Sequence, residues 1–220
     1  MKALLIPVKD PSRGKTRLSD FLTTDHRRRL AWAMLEDVIR AAAAASEPDR
    51  VVVVTSFDLA AERARKAGFE VLIEESQTSE SASVDWASRL LREQNFDLVM
   101  RLPADVPLVR AEDIDRLLAT RVPCPGTLLV PSHEGTGTNA IIRTPPDIFC
   151  SRFGPNSLEL HQHEASSAGA ECLIVANERI AIDIDEPADI RLFMERGRGT
   201  ETFQFLSELE SASHFTKGPE

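Results

Sequence analysis

Aromatic residues are sparse: the chain has no tyrosine and only two tryptophans among its 220 residues. Trp32 and Trp86 therefore read as packing residues rather than base-stacking platforms, since aromatic area mostly goes into cores. Cysteine is scarce too. Cys124, Cys150 and Cys172 stand far apart with no CxxC spacing, so neither a zinc site nor a disulfide framework is indicated, and reduced thiols in a cytoplasm are the default. No apolar run approaches the ~20 residues of a membrane span. The N-terminal run is shorter still and enters a charged loop instead of a small-residue cleavage site, unlike a signal peptide. Positive charge is in deficit, 26 Lys and Arg against 35 Asp and Glu for a net charge of −9. Nucleic acid and membrane surfaces thus exert no long-range attraction, and a small anionic ligand needs a local basic pocket.

What is present begins with 42% hydrophobic residues, enough to bury one real core, and a length that fits a single domain, residues 1–196, followed by a polar tail, 197–220. Residues 3–8 are apolar on both faces and too short for a helix, the pattern of a fully buried strand in a parallel sheet. Residues 51–54, 71–73 and 96–102 repeat it. Between them lie helical periodicities: Leu30, Met34, Leu35, Val38 and Ile39 after a cap at Thr24 or Asp25, then residues 58–68, then Val84, Ala87, Leu90 and Leu91 behind a polar loop, 74–83. This alternation predicts an α/β fold with a doubly wound, mainly parallel Rossmann-like sheet. The second half is less regular. It carries a helix at 111–120, strands at 126–131, 140–142, 172–175 and 180–182, and helices at 158–169 and 188–196. In the tail, Phe203, Phe205, Leu206 and Leu209 fit one docked helix before disorder at 215–220.

The loop after the first strand places Lys9, Arg13, Lys15 and Arg17 beside Gly14, four cations in an otherwise acidic chain. The crevice outside the carboxyl end of such a strand is where α/β sheets bind ligands, and cations there suit a polyphosphate. A solvated basic turn is the plain alternative. Asp105 follows the fourth strand between Pro103 and Pro107, a stiff setting that aims its carboxylate into the same crevice. A hard dication such as Mg²⁺ takes few protein carboxylates and leaves its other sites to phosphate oxygens and water; Asp183 or Asp185 offers the second carboxylate. Asp105 as a turn cap and Asp185 as a helix cap remain open.

Five stretches, IPVKDPSRGKTRL, LPADVPLV, GTGTNAIIRTPP, FGPNSLELH and IDIDEPADI, occur in this order over residues 3–195. Together they resemble the guanylyltransferase family of deazaflavin coenzyme F-420 biosynthesis, a branch of the glycosyltransferase-A-like nucleotidyltransferases. The resemblance implies a cytoplasmic, Mg²⁺-dependent enzyme that transfers GMP from GTP to 2-phospho-L-lactate, phosphoenolpyruvate or 3-phospho-D-glycerate and releases diphosphate. It is compatible with a homodimer and with hand-off of the product to the next enzyme. Residue by residue it implies nucleotide contacts from Pro7, Val8, Lys9, Arg13 and Lys15, catalytic roles for Lys15, Arg17 and Asp105, and metal ligation by Asp105 with Asp183 and Asp185. The acceptor site falls on Thr138, Asn139, Gly154, Ser157 and His161. Gly14 replaces a common Ala, and an Asn common in the family at the start of the third helix is missing; Ser83 stands in its place as a nucleotide contact.

The residues agree with that assignment, because a Gly-rich turn and a hydroxyl at a helix start offer N–H and O–H donors to a carboxylate or phosphate. The polar set Thr138, Asn139, Asn156, Ser157 and His161 predicts an acceptor with a free hydroxyl, 3-phospho-D-glycerate, since a site that hydrogen-bonds a hydroxyl rejects analogues lacking it. Two other functions stay open: a nucleotidyltransferase of the same superfamily with a sugar or pterin acceptor, and a non-catalytic nucleotide-binding regulator.

Overall fold

The first strand, Lys2–Val8 (β1), divides its side chains between the two faces of the sheet, as strand geometry requires. Leu4, Ile6 and Val8 enter one core and Ala3 and Leu5 the other. The structure, a computed structural model, describes residues 1–10 and 14–215, with side chains as far as residue 211. Arg13 lies outside the described residues, and so does the stretch expected to be disordered, 215–220, except for residue 215, which ends a helix.

Beside β1 run Arg50–Thr55 (β2), Glu70–Ile73 (β3), Leu98–Arg101 (β4), Gly126–Pro131 (β5), Thr138–Thr144 (β6) and Glu171–Ile174 (β7). They form one sheet in the order β3-β2-β1-β4-β6-β5-β7. The pairs β2/β3, β1/β2, β1/β4 and β5/β7 are parallel, while β6 runs antiparallel to both its neighbours, β4 and β5. The sheet is therefore mainly parallel, with one reversed strand inside it.

Among the described residues seven α-helices cover it: Thr24–Ala44 (α1), Asp58–Lys66 (α2), Glu80–Glu93 (α3), Ala111–Ala119 (α4), Ser157–Ser167 (α5), Pro187–Met194 (α6) and Glu201–Phe215 (α7). Leu35 and Val38 of α1, Ala60 of α2, and Ile114 and Leu117 of α4 pack over one face. Val84, Ala87 and Leu91 of α3 cover the other face over β1 and β2, and Ala165 of α5 covers Leu129 and Ile141. Helices on both faces are what a parallel sheet needs to bury its apolar strands. No described helix is long and apolar enough to cross a membrane.

Three local expectations change. The cap of α1 is Thr23, whose hydroxyl accepts from the His26 N–H at 3.2 Å. The polar stretch expected as loop through residue 83 already turns helical at Glu80, because Ser79 caps the backbone N–H of Ala82 at 3.1 Å. Serine reads as loop in a sequence, yet it is also among the best N-caps. The expected strand at 180–182 is not one. Ile180, Ile182 and Ile184 are buried at alternate positions, but the Asn177 side chain accepts from the N–H groups of Arg179 and Ile180 at 3.0 Å each and turns the backbone. Period-two burial is present without a ladder.

The C-terminal helix is tied to α1 by a buried carboxylate. Asp37 accepts from the N–H groups of Glu201 at 2.8 Å and Thr202 at 3.0 Å, and from the Thr202 hydroxyl at 2.7 Å. It caps α7 from another helix, and Phe205 and Leu206 then close a core with Leu30, Met34 and Phe193. Asp37→Ala is expected to lower unfolding stability by about 1–3 kcal/mol, because it orphans helix-terminal donors in a buried setting. Urea denaturation checks this, and a change below about 0.5 kcal/mol would show that α7 docks by apolar contact alone.

Candidate active site

The segments leaving β1, β4 and β5 end at one edge of the sheet. Because β6 is reversed, its first residues reach that same edge. They enclose a crevice of about 670 Å³ whose walls include Lys9, Arg17, Arg101, Asp105, Thr138 and Ser157. A site at the carboxyl ends of parallel strands is the general position for ligands in such sheets.

One side of the crevice is acidic. Asp105, Asp183 and Asp185 each bring a carboxylate oxygen within 4.8 Å of the others. Into this group reaches Lys15, its Nζ 2.6 Å from Asp105 Oδ2 and 2.7 Å from Asp185 Oδ1. Lys15 has φ 56° and ψ 38°, a left-handed backbone that costs a residue with a side chain about 1–3 kcal/mol and that surrounding contacts must hold in place. Burial by itself would lower the Lys15 pKa, but Asp105 and Asp185 outweigh it and hold it above the ordinary lysine value. Burial likewise would raise the Asp105 carboxyl, and Lys15, then Arg101, more than offset that and leave it below the usual range. Among the described residues Asp183 forms no ion pair, and the nearby Lys15 charge only partly offsets what raises it. Burial first, then the Asp105 charge, push it up to about 6, and Asn139 Nδ2 steadies it with a 2.9 Å hydrogen bond.

The opposite side is built from the start of β6 and the turn before α5. Ser157 Oγ accepts from the Thr138 N–H at 2.8 Å, so the Ser157 hydroxyl keeps its own proton to donate. His161 is fully buried. Its Nε2 accepts from the Arg152 N–H at 2.9 Å, and its Nδ1 lies 3.0 Å from Thr138 Oγ1. Burial, then Arg101 and Arg143, press the His161 pKa down to about 3, so the ring is neutral. With Nε2 accepting, Nδ1 carries the proton and donates to Thr138, which leaves the Thr138 hydroxyl proton available as well. Two hydroxyl donors thus lie beside Gly154, whose φ of +127° suits glycine alone, an arrangement able to donate to an anionic oxygen.

The structure brings Lys9, Arg17, Asp105, Thr138, Asn139, Gly154, Ser157, Asp183 and Asp185 to one crevice, with Lys15 buried against its acids. Arg17 pairs with Glu186 at 3.2 Å. Ser83, His161, Pro7 and Val8 are not among the wall residues of the crevice. Ser83 is buried in the first turn of α3, and its hydroxyl donates to Glu74 at 2.7 Å, so it does not line the crevice. His161 stands behind Thr138 and orients it instead of facing a ligand. Pro7 and Val8 are buried at the end of β1, with Val8 in the main core. Sequence reasoning missed Arg101, hidden as the last residue of an apolar strand. It is buried, donates to the Asn139 carbonyl at 3.1 Å, pairs with Glu80 and lies 4.1 Å from the Phe153 ring centre. Burial lowers its pKa to about 10, and it remains a cation in the crevice wall.

Sheet order, crevice and acid cluster together define a nucleotidyltransferase fold of the glycosyltransferase-A-like type. A putative nucleotide-diphospho-sugar transferase from Desulfovibrio desulfuricans G20 shares it with a TM-score of 0.77, at 16% identity over 96% of this chain and 95% of that one. A cytidylyltransferase from Leptospira borgpetersenii does so with a TM-score of 0.59, at 17% identity over 98% and 94%. The chain belongs to the family described as Guanylyl transferase CofC like, whose model matches residues 1–220. Relatives include the 3-phospho-D-glycerate guanylyltransferase of Colwellia psychrerythraea, 31% identical over 86% of this chain and 89% of the relative. The phosphoenolpyruvate guanylyltransferase of Sphaerobacter thermophilus is 32% identical over 84% and 89%. The 2-phospho-L-lactate guanylyltransferase of Methanothermobacter thermautotrophicus is 31% identical over 93% and 89%.

A buried neutral histidine makes stability depend on pH in a definite direction. The unfolded chain binds a proton at His161 near pH 6.5, whereas the folded chain does so only near 3. Stability is thus fully present above pH 6.5 and falls as the pH drops through that window, at up to about 1.4 kcal/mol per pH unit. His161→Gln should remove this component, so its stability measured by urea denaturation at pH 7, 6, 5 and 4 should decline less steeply than wild type. Parallel curves would mean that folding leaves the His161 pKa unchanged.

Proposed function

We propose that this chain is a GTP-dependent guanylyltransferase that transfers GMP to a small phosphorylated three-carbon acid, releases diphosphate, uses Mg²⁺ and serves coenzyme F-420 biosynthesis. One observation carries the reading: in a chain of this family, the Lys15, Asp105, Asp183 and Asp185 cluster faces the Thr138, Gly154 and Ser157 subsite across a single crevice. A phosphate oxygen of the acid attacks the α-phosphorus of GTP. One P–O bond forms as the bond to the bridging β-phosphate oxygen breaks, and diphosphate leaves with the electron pair. No protein nucleophile is required, so the protein's task is positioning and charge stabilisation.

Lys9, Lys15 and Arg17 supply the cations for the triphosphate. The Thr138 and Ser157 hydroxyls donate to an anionic oxygen of the acceptor, and Arg101 adds positive potential behind them. Three carboxylates, each with an oxygen within 4.8 Å of the others, form a hard-oxygen set that fits Mg²⁺. Asp105, Asp183 and Asp185 would hold the ion, and bound there it neutralises phosphate charge. Because two O–H donors and polar neighbours line the acceptor side, the favoured acid is the one with a free hydroxyl, 3-phospho-D-glycerate.

Asp105→Asn should leave the protein folded and lower Mg²⁺-dependent turnover by about 100-fold or more, the scale of several kcal/mol of lost charge stabilisation. Diphosphate release measured with each of the three acids checks this, and near-wild-type turnover would remove Asp105 from the reaction. With the three acids competing at equal concentration, 3-phospho-D-glycerate should be consumed first, and Ser157→Ala should raise the KM for the acid much more than for GTP. Preferential consumption of phosphoenolpyruvate would overturn the acceptor choice while leaving the enzyme class intact.

A further inference from the structure

A second cavity, of about 830 Å³, is walled by α1, the loop that follows Asp105, the first turns of α4, and residues 176–179 and 196–200; it shares no wall residue with the crevice. Its charge is opposite in sign to that of the chain. Arg40, Arg110, Arg116, Arg179, Arg196 and Arg198 line it against four carboxylates, Asp37, Glu112, Asp113 and Glu178, whereas acids outnumber Lys and Arg 35 to 26 overall. Two of those four carboxylates are already engaged. Asp37 caps α7 and lies 3.5 Å from Arg40, which also pairs with Glu201 at 2.7 Å, and Asp113 holds Arg179 through contacts of 2.6 and 2.7 Å and Asn177 at 2.9 Å. Among the described residues, Arg116 and Arg198 have no carboxylate within ion-pair distance, while Arg110 and Arg196 reach only exposed Glu112 and Glu178, at 3.8 and 3.6 Å. Exposed pairs of that length contribute little.

We propose that this cavity is a second ligand site, for a small polyanion carrying two or more phosphates. Guanidinium groups match phosphate oxygens two at a time and are weakly hydrated, so several converging on one cavity select such a ligand over a monovalent anion. The volume is that of a small-molecule site, and Ala41, Ala44 and Val109 leave room among the arginines. Arg179 supplies a fixed cation, locked by Asp113, and Arg116 and Arg198, unpaired among the described residues, supply further charge. The cavity also adjoins the acid cluster through the chain. Pro107 lies two residues past Asp105, and Arg179 precedes Ile180, whose carbonyl accepts from Asn139, the residue that steadies Asp183. None of this rests on the guanylyltransferase reading.

Isothermal titration of the full chain with inorganic triphosphate, and separately with GTP, both without added dication, tests the site against Arg116→Gln/Arg198→Gln and Arg116→Glu/Arg198→Glu. These side chains are exposed and outside the crevice, and an unchanged thermal midpoint without ligand confirms folding; the glutamine pair carries the test if the glutamate pair does not fold. Wild type should bind one equivalent more than the glutamate pair, and the glutamine pair should lose about tenfold or more in affinity at that equivalent. Uptake by the crevice is common to all three proteins, so the difference survives even if the crevice binds no triphosphate. An extra equivalent with both probes assigns the site to nucleoside polyphosphates as well, and one with inorganic triphosphate alone restricts it to inorganic chains. Equal stoichiometry and affinity in wild type and both variants would overturn the proposal.

Discussion

One ammonium group balances the site. Three carboxylates with oxygens within 4.8 Å of one another repel. Lys15, at 2.6 and 2.7 Å from two of them, makes the group tolerable and keeps Asp105 ionised, while Asp183, outside its hydrogen-bonding reach, is the member with the raised pKa. The residues come from positions 15, 105 and 183–185, so they meet only if the first strand, the fourth strand and the segment before α6 end side by side. The left-handed backbone of Lys15 is held by that meeting.

The reversed strand β6 decides what faces the acids. Had it run parallel to β4, Thr138 would sit at the far edge of the sheet. Antiparallel pairing, with Arg101 opposite Ile141, carries Thr138 and Asn139 past the end of β4 to the crevice. Asn139 then serves the acidic side through Asp183, while Thr138 serves the other side with Ser157 and His161. Two adjacent residues at the start of β6 thus link the two halves of the site.

Buried cations set the wall opposite the acids. Arg143, 2% exposed, donates to Asp85 at 2.8 Å, to Ser88 at 2.9 Å and to the Phe149 carbonyl, and Asp85 in turn accepts from Ser151 at 2.7 Å. Burying a guanidinium is costly unless every partner is in place, so this network specifies the path of residues 149–153 and with it the approach to Gly154. Arg101 and Arg143 also keep His161 neutral by charge repulsion added to burial, which fixes the direction of its hydrogen bond to Thr138.

Local pattern alone determined the alternating strands and helices, the mainly parallel sheet and the stretches that meet at its carboxyl edge. Short runs such as residues 3–8 and 51–54 have one physical solution, burial on both faces. Asp105 between two prolines and the cations around Gly14 were legible for the same reason: residue type and a strand end suffice to place them. Tertiary structure decided the rest, because it depends on partners far along the chain. Ser83 went to Glu74, His161 went behind Thr138, and the alternating isoleucines from Ile180 to Ile184 gained no ladder, with the Ile180 N–H going to the Asn177 side chain and the Ile184 N–H to the Asp105 carbonyl. Arg101 looked like the end of an apolar strand until the fold set it beside Glu80 and Phe153. Side-chain charge and hydrogen-bonding capacity are written in the sequence, but which donor meets which acceptor is settled only when elements about a hundred residues apart are packed at one edge.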